Sequence, residues 1–252
     1  MESKYCLNCT HETAGKFCAH CGQKTDTHRI TLFHFIAHDL VHGAFHLDRG
    51  ILYTLKEALV RPGKAGLDYI SGKRIRYYNV FYLSLILLGL AILLYHMGTL
   101  GVTFKGNDNG SQDVIDTMSK NSKLVVLCFV PLLAINARVL FWKLRLNLAE
   151  HFIVAGFTFV GMLVVIEALL AINAMADVIF SRLFANWVMF ILGLLALFFP
   201  LWSYANLTWK THSALGWLWR MILMYALLIA ELFGLLVAII FAITGETEVS
   251  FN

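Results

Sequence analysis

Long apolar runs dominate the chain from residue 79 onward. Five of them, at about 79–98, 124–142, 152–176, 185–206 and 217–243, are long enough to cross a bilayer as helices, since about 20 residues traverse the roughly 30 Å hydrocarbon core. None alternates apolar and polar positions as a barrel strand would, so each satisfies its backbone polar groups only as a helix. Pro131 in the second run and Pro200 in the fourth predict kinks. No internal repeat and no low-complexity linker is legible, and Gly106 to Gln112 reads as an ordinary exposed loop.

Ahead of these runs the pattern changes. Read as one helix, residues 31–60 place Phe33, Ile36, Leu40, Val41, Ala44, Leu47, Ile51, Leu52, Leu55 and Leu59 on one broad face. His38, His42, His46, Arg49, Lys56 and Glu57 gather on the other. Such a helix suits the headgroup region or the flank of a bundle, with a break at Gly43 or Gly50. The chain therefore divides into a polar segment 1–27, an amphipathic and basic juxtamembrane segment 28–78, and a helical bundle 79–252. The fold class is an all-α polytopic membrane protein of about five transmembrane helices.

Composition agrees. Hydrophobic residues make up 59% of the 252 and charged residues 14%, where soluble domains carry roughly a quarter. Lipid is the expected solvent. The net charge of +4 matters less than its placement: Arg61, Lys64, Lys73, Arg74 and Arg76 crowd before the first run. Lys73, Arg74 and Arg76 are candidate contacts to anionic headgroups, and no nucleic-acid partner is expected. Counting Lys and Arg in the loops puts the N-terminus in the cytoplasm and the C-terminus outside. Residues 1–27 lack the apolar core of a cleavable signal.

Four of the five cysteines form Cys6-Leu-Asn-Cys9 and Cys18-Ala-His-Cys21. Each Cys-x-x-Cys turn aims two thiolates at one point, and two such turns complete a tetrahedral four-cysteine shell suited to structural Zn²⁺. A shell with four protein ligands leaves no position for water, which argues against catalysis there. So short a segment buries too little apolar surface to fold unaided, so the metal would supply its folding free energy. A redox dithiol is the lesser alternative, and His11 and His20 are expected in solvent.

Tyr5 to Cys9 and Gly15 to Gln23 resemble the short zinc ribbons at the N-termini of many bacterial proteins. The resemblance continues through Phe45-His-Leu-Asp-Arg-Gly50, Thr54-Leu55, Arg61-Pro62-Gly63, Tyr69 to Arg74 and Arg76-Tyr-Tyr78. Taken in that order, these are similar to a family of uncharacterised bacterial multi-pass membrane proteins with an N-terminal ribbon. It implies the bacterial cytoplasmic membrane and this architecture, and it brings no activity.

His34, His38, His42 and His46 recur every four residues, a spacing at which histidine pairs on one helix face share a metal. The four rings drift across the face and lack an evident completing ligand, so polar rim residues are the plainer reading. Gly66 to Lys73 only superficially resembles a phosphate loop, and Arg74 stands where that loop needs a hydroxyl. No nucleophile elbow or zinc-protease motif is present. Within the bundle, Glu167 and Glu231 lie well inside apolar runs, where a carboxylate faces neighbouring helices, meets a partner or lines a path for protons or cations.

Three functions remain. The first is a membrane-anchored interaction, assembly or sensing module, with a protein partner at the cytoplasmic face or a second copy of the chain. The second is a small transporter or channel using Glu167 and Glu231. The third is a lipid-acting or metal-dependent enzyme built on the histidines. The first is preferred, because no catalytic constellation can be assembled.

Overall fold

A computed structural model of the chain describes residues 5–25, 29–31, 50–99, 128–175, 182–208, 211 and 213–244. Among them the regular elements are all helical. Two short helices, α1 (Gly50–Val60) and α2 (Pro62–Ile70), precede α3 (Val80–Thr99). Then come α4 (Cys128–Leu140), α5 (Leu148–Met175), α6 (Arg182–Thr208) and α7 (Ala214–Thr244). Helices α3 to α7 stand where the five apolar runs predict helices. By length and composition three of them can cross a membrane, over Leu148–Asn173, Asn186–Thr208 and Ala214–Leu235. Val80–Leu94 and Cys128–Leu140 are shorter apolar helices. Pro200 lies inside α6.

Helix α5 is the hub. Of an apolar 18-residue stretch of it 67% is buried, against 28% in α6 and 17% in α7, so the latter two turn most of their apolar surface outward. Small residues let its neighbours approach. A Cβ at Gly156 would meet the Val80 and Phe81 side chains of α3, and one at Gly161 would meet the Ala58 carbonyl of α1 and the Phe199 ring of α6. Thr158 and Ser203 share a buried hydroxyl hydrogen bond of 2.6 Å between α5 and α6. Val80 beside Gly156 and the Ala91 backbone beside Glu167 set α3 parallel to α5. Phe199 beside Gly161 and Ser203 beside Thr158 set α6 antiparallel to it.

The start of α5 is capped twice over. Asn147 Oδ1 accepts from the Glu150 N–H at 2.9 Å, while Glu150 Oε2 accepts from the Asn147 N–H at 2.7 Å, a reciprocal capping box. Arg29 then donates to both Glu150 oxygens, at 2.8 and 2.9 Å, and Asn147 Nδ2 donates to the Ile30 carbonyl. Ile30 is itself buried in the core. The segment following the cysteines is thus pinned to the first turn of α5. Asn147→Ala should lower stability by about 1 kcal/mol, the usual worth of an N-cap side chain, read as a fall in the thermal midpoint of detergent-purified protein.

Of the residues 31–60 read as one amphipathic helix, 32–49 lie outside the described residues and 50–60 are helical. Helix α1 buries Thr54, Glu57 and Ala58 and leaves Leu52 79% exposed, with Leu59 and Val60 also outward. Two forces turn it. Only a residue as small as Ala58 can sit against Gly161, and Glu57 is ion-paired with Arg61 one turn on. Arg61 separates α1 from α2, as expected ahead of a proline. Helix α2 then returns along the bundle, with Gly63 against the Ser203 carbonyl and Gly66 against Val154. Arg61 also approaches Asp68 at 3.5 Å, and Asp68 accepts from Lys73 at 2.7 Å.

Candidate metal centre

The first cysteine pair lies in a turn closed by two backbone bonds, Cys6 N–H to the His11 carbonyl and Thr10 N–H to the Cys6 carbonyl. Cys18 N–H to Gln23 and Gly22 N–H to Cys18 reproduce them in the second turn. Tyr5 bridges Glu12 and Phe17 bridges Lys24, each antiparallel. Thr10 and Gly22, each just after its second cysteine, both take left-handed φ, of 62° and 75°. The segment is therefore a repeat of one knuckle at an offset of twelve residues. The repeat is faint in the sequence because, besides an aromatic, the Cys-x-x-Cys frame and a closing threonine, the letters differ. What recurs is the backbone conformation, which threonine and glycine reach by different means.

The two knuckles face each other and bring all four sulfurs together. Cys6 Sγ lies 3.6 Å from Cys21 Sγ, and Cys9 Sγ lies 3.5 Å from Cys18 Sγ, each pair joining one knuckle to the other. The four ligand atoms lie within 4.8 Å of one another. Disulfide bonding needs about 2.05 Å, and the cysteines are free. A tetrahedron with metal–sulfur bonds of about 2.3 Å has edges of about 3.8 Å, close to the two observed contacts. The donor set therefore fits a tetrahedral thiophilic ion. Burial works against charge on Cys21, but hydrogen bonds from Asn8, the Gln23 backbone and the other thiols bring it down to about 6. Cys9 has a backbone bond from His11 that favours its thiolate, yet burial and the protons shared with Cys21, Cys18 and Cys6 push it up to about 12. Cys21 is thus biased toward the thiolate that ligates a metal, and a cation must displace the proton of Cys9.

His11 and His20 are exposed, as expected, but their rings are stacked at 3.9 Å and 7°. Each offers a nitrogen within 4.8 Å of Cys9 Sγ.

The ribbon rests on the turn between α2 and α3. From the first knuckle, Asn8 accepts from Arg76 through its side chain and its carbonyl, the latter at 2.7 Å. From the second, Gln23 Oε1 accepts from the Ile75 N–H at 2.9 Å. Arg76 thus holds the ribbon, Lys73 pairs with Asp68, and the Arg74 guanidinium lies over the Tyr69 ring at 5.7 Å. These three were candidate headgroup contacts, and each has a partner within the protein. Neither Asn8 nor Gln23 stood out in the sequence, where an amide inside or beside a cysteine turn carries no distinctive signal.

The remaining candidates fall elsewhere. His34, His38, His42 and His46 lie outside the described residues. Glu231 on α7 accepts from Asn136 on α4 at 2.7 Å. Glu167 is buried on α5, and both its oxygens lack a hydrogen-bond partner among the described residues. The two carboxyls therefore do not bond to each other. A cavity of about 220 Å³ lies near Glu167, lined by Leu88, Ala91, Leu163, Ile166 and other apolar side chains.

A family model described as a protein of unknown function (DUF3667) matches residues 48–89. The matched stretch takes in α1, α2, the turn that receives the ribbon and the first half of α3; the four cysteines lie outside it. No curated protein and no solved structure matches the chain.

Proposed function

We propose that this is an integral membrane protein whose four cysteines hold a structural zinc ion, making a ribbon that serves as an interaction, assembly or sensing module at the cytoplasmic face of a bacterial inner membrane. The observation that carries this reading is the convergence of four thiol sulfurs, from two superposable knuckles, on one point. Four cysteine ligands in a tetrahedron favour zinc or iron, and a redox-inert closed shell suits a purely structural role. The ribbon is held by its Asn8 and Gln23 side, while Tyr5, Leu7 and Phe17 are exposed at 51%, 43% and 63%. Aromatic and aliphatic side chains displayed on so small a rigid platform are what a protein partner would bury.

A five-helix anchor accounts for the bundle. Parallel α3 and α5 need one intervening crossing in the opposite sense, and α4 is the helix available to make it. The transporter reading draws on Glu167, a buried carboxyl beside a cavity. Against it, Glu231 is bonded to Asn136 and the cavity wall is apolar, so these groups support helix packing better than a path for ions.

Photocrosslinking in intact cells from a benzophenone residue at Phe17 tests the module. A discrete adduct that disappears when Cys18→Ser is added supports it. No adduct, or the same adduct in both proteins, would count against a metal-organised docking face.

A further inference from the structure

Helices α1 and α2 pack along α5 and α6 well inside the ends of those helices. Ala58 abuts Gly161, thirteen residues into the span Leu148–Asn173, which is about 20 Å along the axis at 1.5 Å per residue. On the return, Gly63 abuts Ser203, five residues or about 8 Å before α6 ends at Thr208. Gly66 abuts Val154, six residues or about 9 Å into α5. Both outer ends of the pair lie near the ribbon: Gly50 touches the backbone of Arg76 to Tyr78, and α2 leads into the turn that holds the ribbon.

We propose that α1 and α2 form a re-entrant hairpin that enters the lipid leaflet on the ribbon side and turns back at Arg61, its outer face covered by acyl chains. Part of the corner's backbone is paired, as hydrocarbon requires, although the first N–H groups of α2 have no side-chain cap. Trp202 Nε1 donates to the Val60 carbonyl, Arg61 N–H to the Glu57 carbonyl, and Ala65 N–H to the Arg61 carbonyl. Pro62, the next residue, has no N–H to satisfy. Several of the charges are matched, Glu57 with Arg61, Arg61 with Asp68 and Asp68 with Lys73, while the exposed Lys56 and Lys64 would have to carry their ammonium groups along their stems to the headgroups. Paired side chains are the form in which ionisable residues persist at such depth. On the other side, Leu52, Leu59, Val60 and Leu67 are exposed, with Lys56 and Lys64 between them, and Val60 adjoins the outward apolar surface of α6 through Trp202. Lipid covers that α6 surface if α6 spans, and the same lipid would cover the hairpin.

This inference rests on reading α5 and α6 as membrane spans, so the test includes a site for each claim. Nitroxide labels carried by an unnatural residue at Leu59, Val60, Phe198 and Lys16 would be compared in full-length protein reconstituted in phosphatidylcholine–phosphatidylglycerol nanodiscs. Power saturation with oxygen and with a nickel chelate reads depth. Phe198 on α6 should collide with oxygen and not with nickel, and Lys16 on the ribbon should show the reverse. Leu59 and Val60 are expected to match Phe198. Nickel access at both equal to that at Lys16, with Phe198 shielded, overturns the hairpin alone. Nickel access at Phe198 overturns the spanning reading beneath it. Exclusion of both reagents at Leu59 and Val60 would mean that protein, such as a second copy of the chain, covers this face, and would also overturn it.

Discussion

Deleting residues 1–27 is expected to take the purified protein from one bound zinc per chain to none, by elemental analysis. The four sulfurs that converge on one point all lie in that segment. Structural zinc in small peptides is worth about 10–16 kcal/mol at neutral pH, far more than the few contacts the ribbon makes otherwise. Cys6→Ser and Cys18→Ser each remove one ligand from a different knuckle and should act alike, with loss of metal and of protection over residues 5–25 in hydrogen exchange. Iron in place of zinc would keep the site and change its chemistry. Metal that survives the deletion would move attention to the histidines at 34, 38, 42 and 46.

Gly161→Ala should have the second-largest effect, through a single added methyl. Its Cβ would stand 2.4 Å from the Ala58 carbonyl oxygen and 2.4 Å from the Phe199 ring. The ring can turn; the carbonyl belongs to helix backbone and cannot, so α1 must lift from α5. Overpacking of this kind costs about 1–3 kcal/mol, and here it also strains the Val60 to Trp202 bond at the corner. Gly89→Ala in α3 supplies the contrast, because nothing lies within 4 Å of its Cβ. There the change should be neutral or should gain up to about 1 kcal/mol from helix propensity. Thermal unfolding of the two variants in one detergent checks the pair, and equal shifts would show that the close crossing of α1 over α5 carries no energy.

The helices were legible because lipid-length apolar runs admit few alternatives. Their ends were less so. The third run was read from 152, whereas α5 begins at Leu148, and the Asn147 to Glu150 capping box just upstream was the available signal. The cysteine cluster was legible because ligand type and spacing are local chemistry. What lay beyond local reading was every contact between distant segments: Arg29 with Glu150, Asn8 with Arg76, Ala58 with Gly161. The hydrophobic wheel over 31–60 can be compared with the structure only over α1, because 32–49 lie outside the described residues. The wheel left open whether the apolar face meets lipid or protein, and in α1 Leu52 and Leu59 point outward, Ile51 and Leu55 pack on the core and Glu57 points in, held by Arg61. For a helix that borders lipid, periodicity reports that two faces differ and not which one is inside.

The order of synthesis gives the ribbon's seat a direction in time. Ile75 follows its partner Gln23 by 52 residues, which is about 3–10 s of translation at 5–20 residues per second. With metal bound, the knuckles would be a finished surface before the turn that rests on them exists. Nascent Ile75 and Arg76 would then meet a ready template, and the amide groups of Asn8 and Gln23 would help to register the entrance of α3. A chain starved of zinc during translation would lose that template. Its defect should appear as slow or mispaired assembly of the first helices, an outcome that adding metal to the finished protein would not wholly reverse.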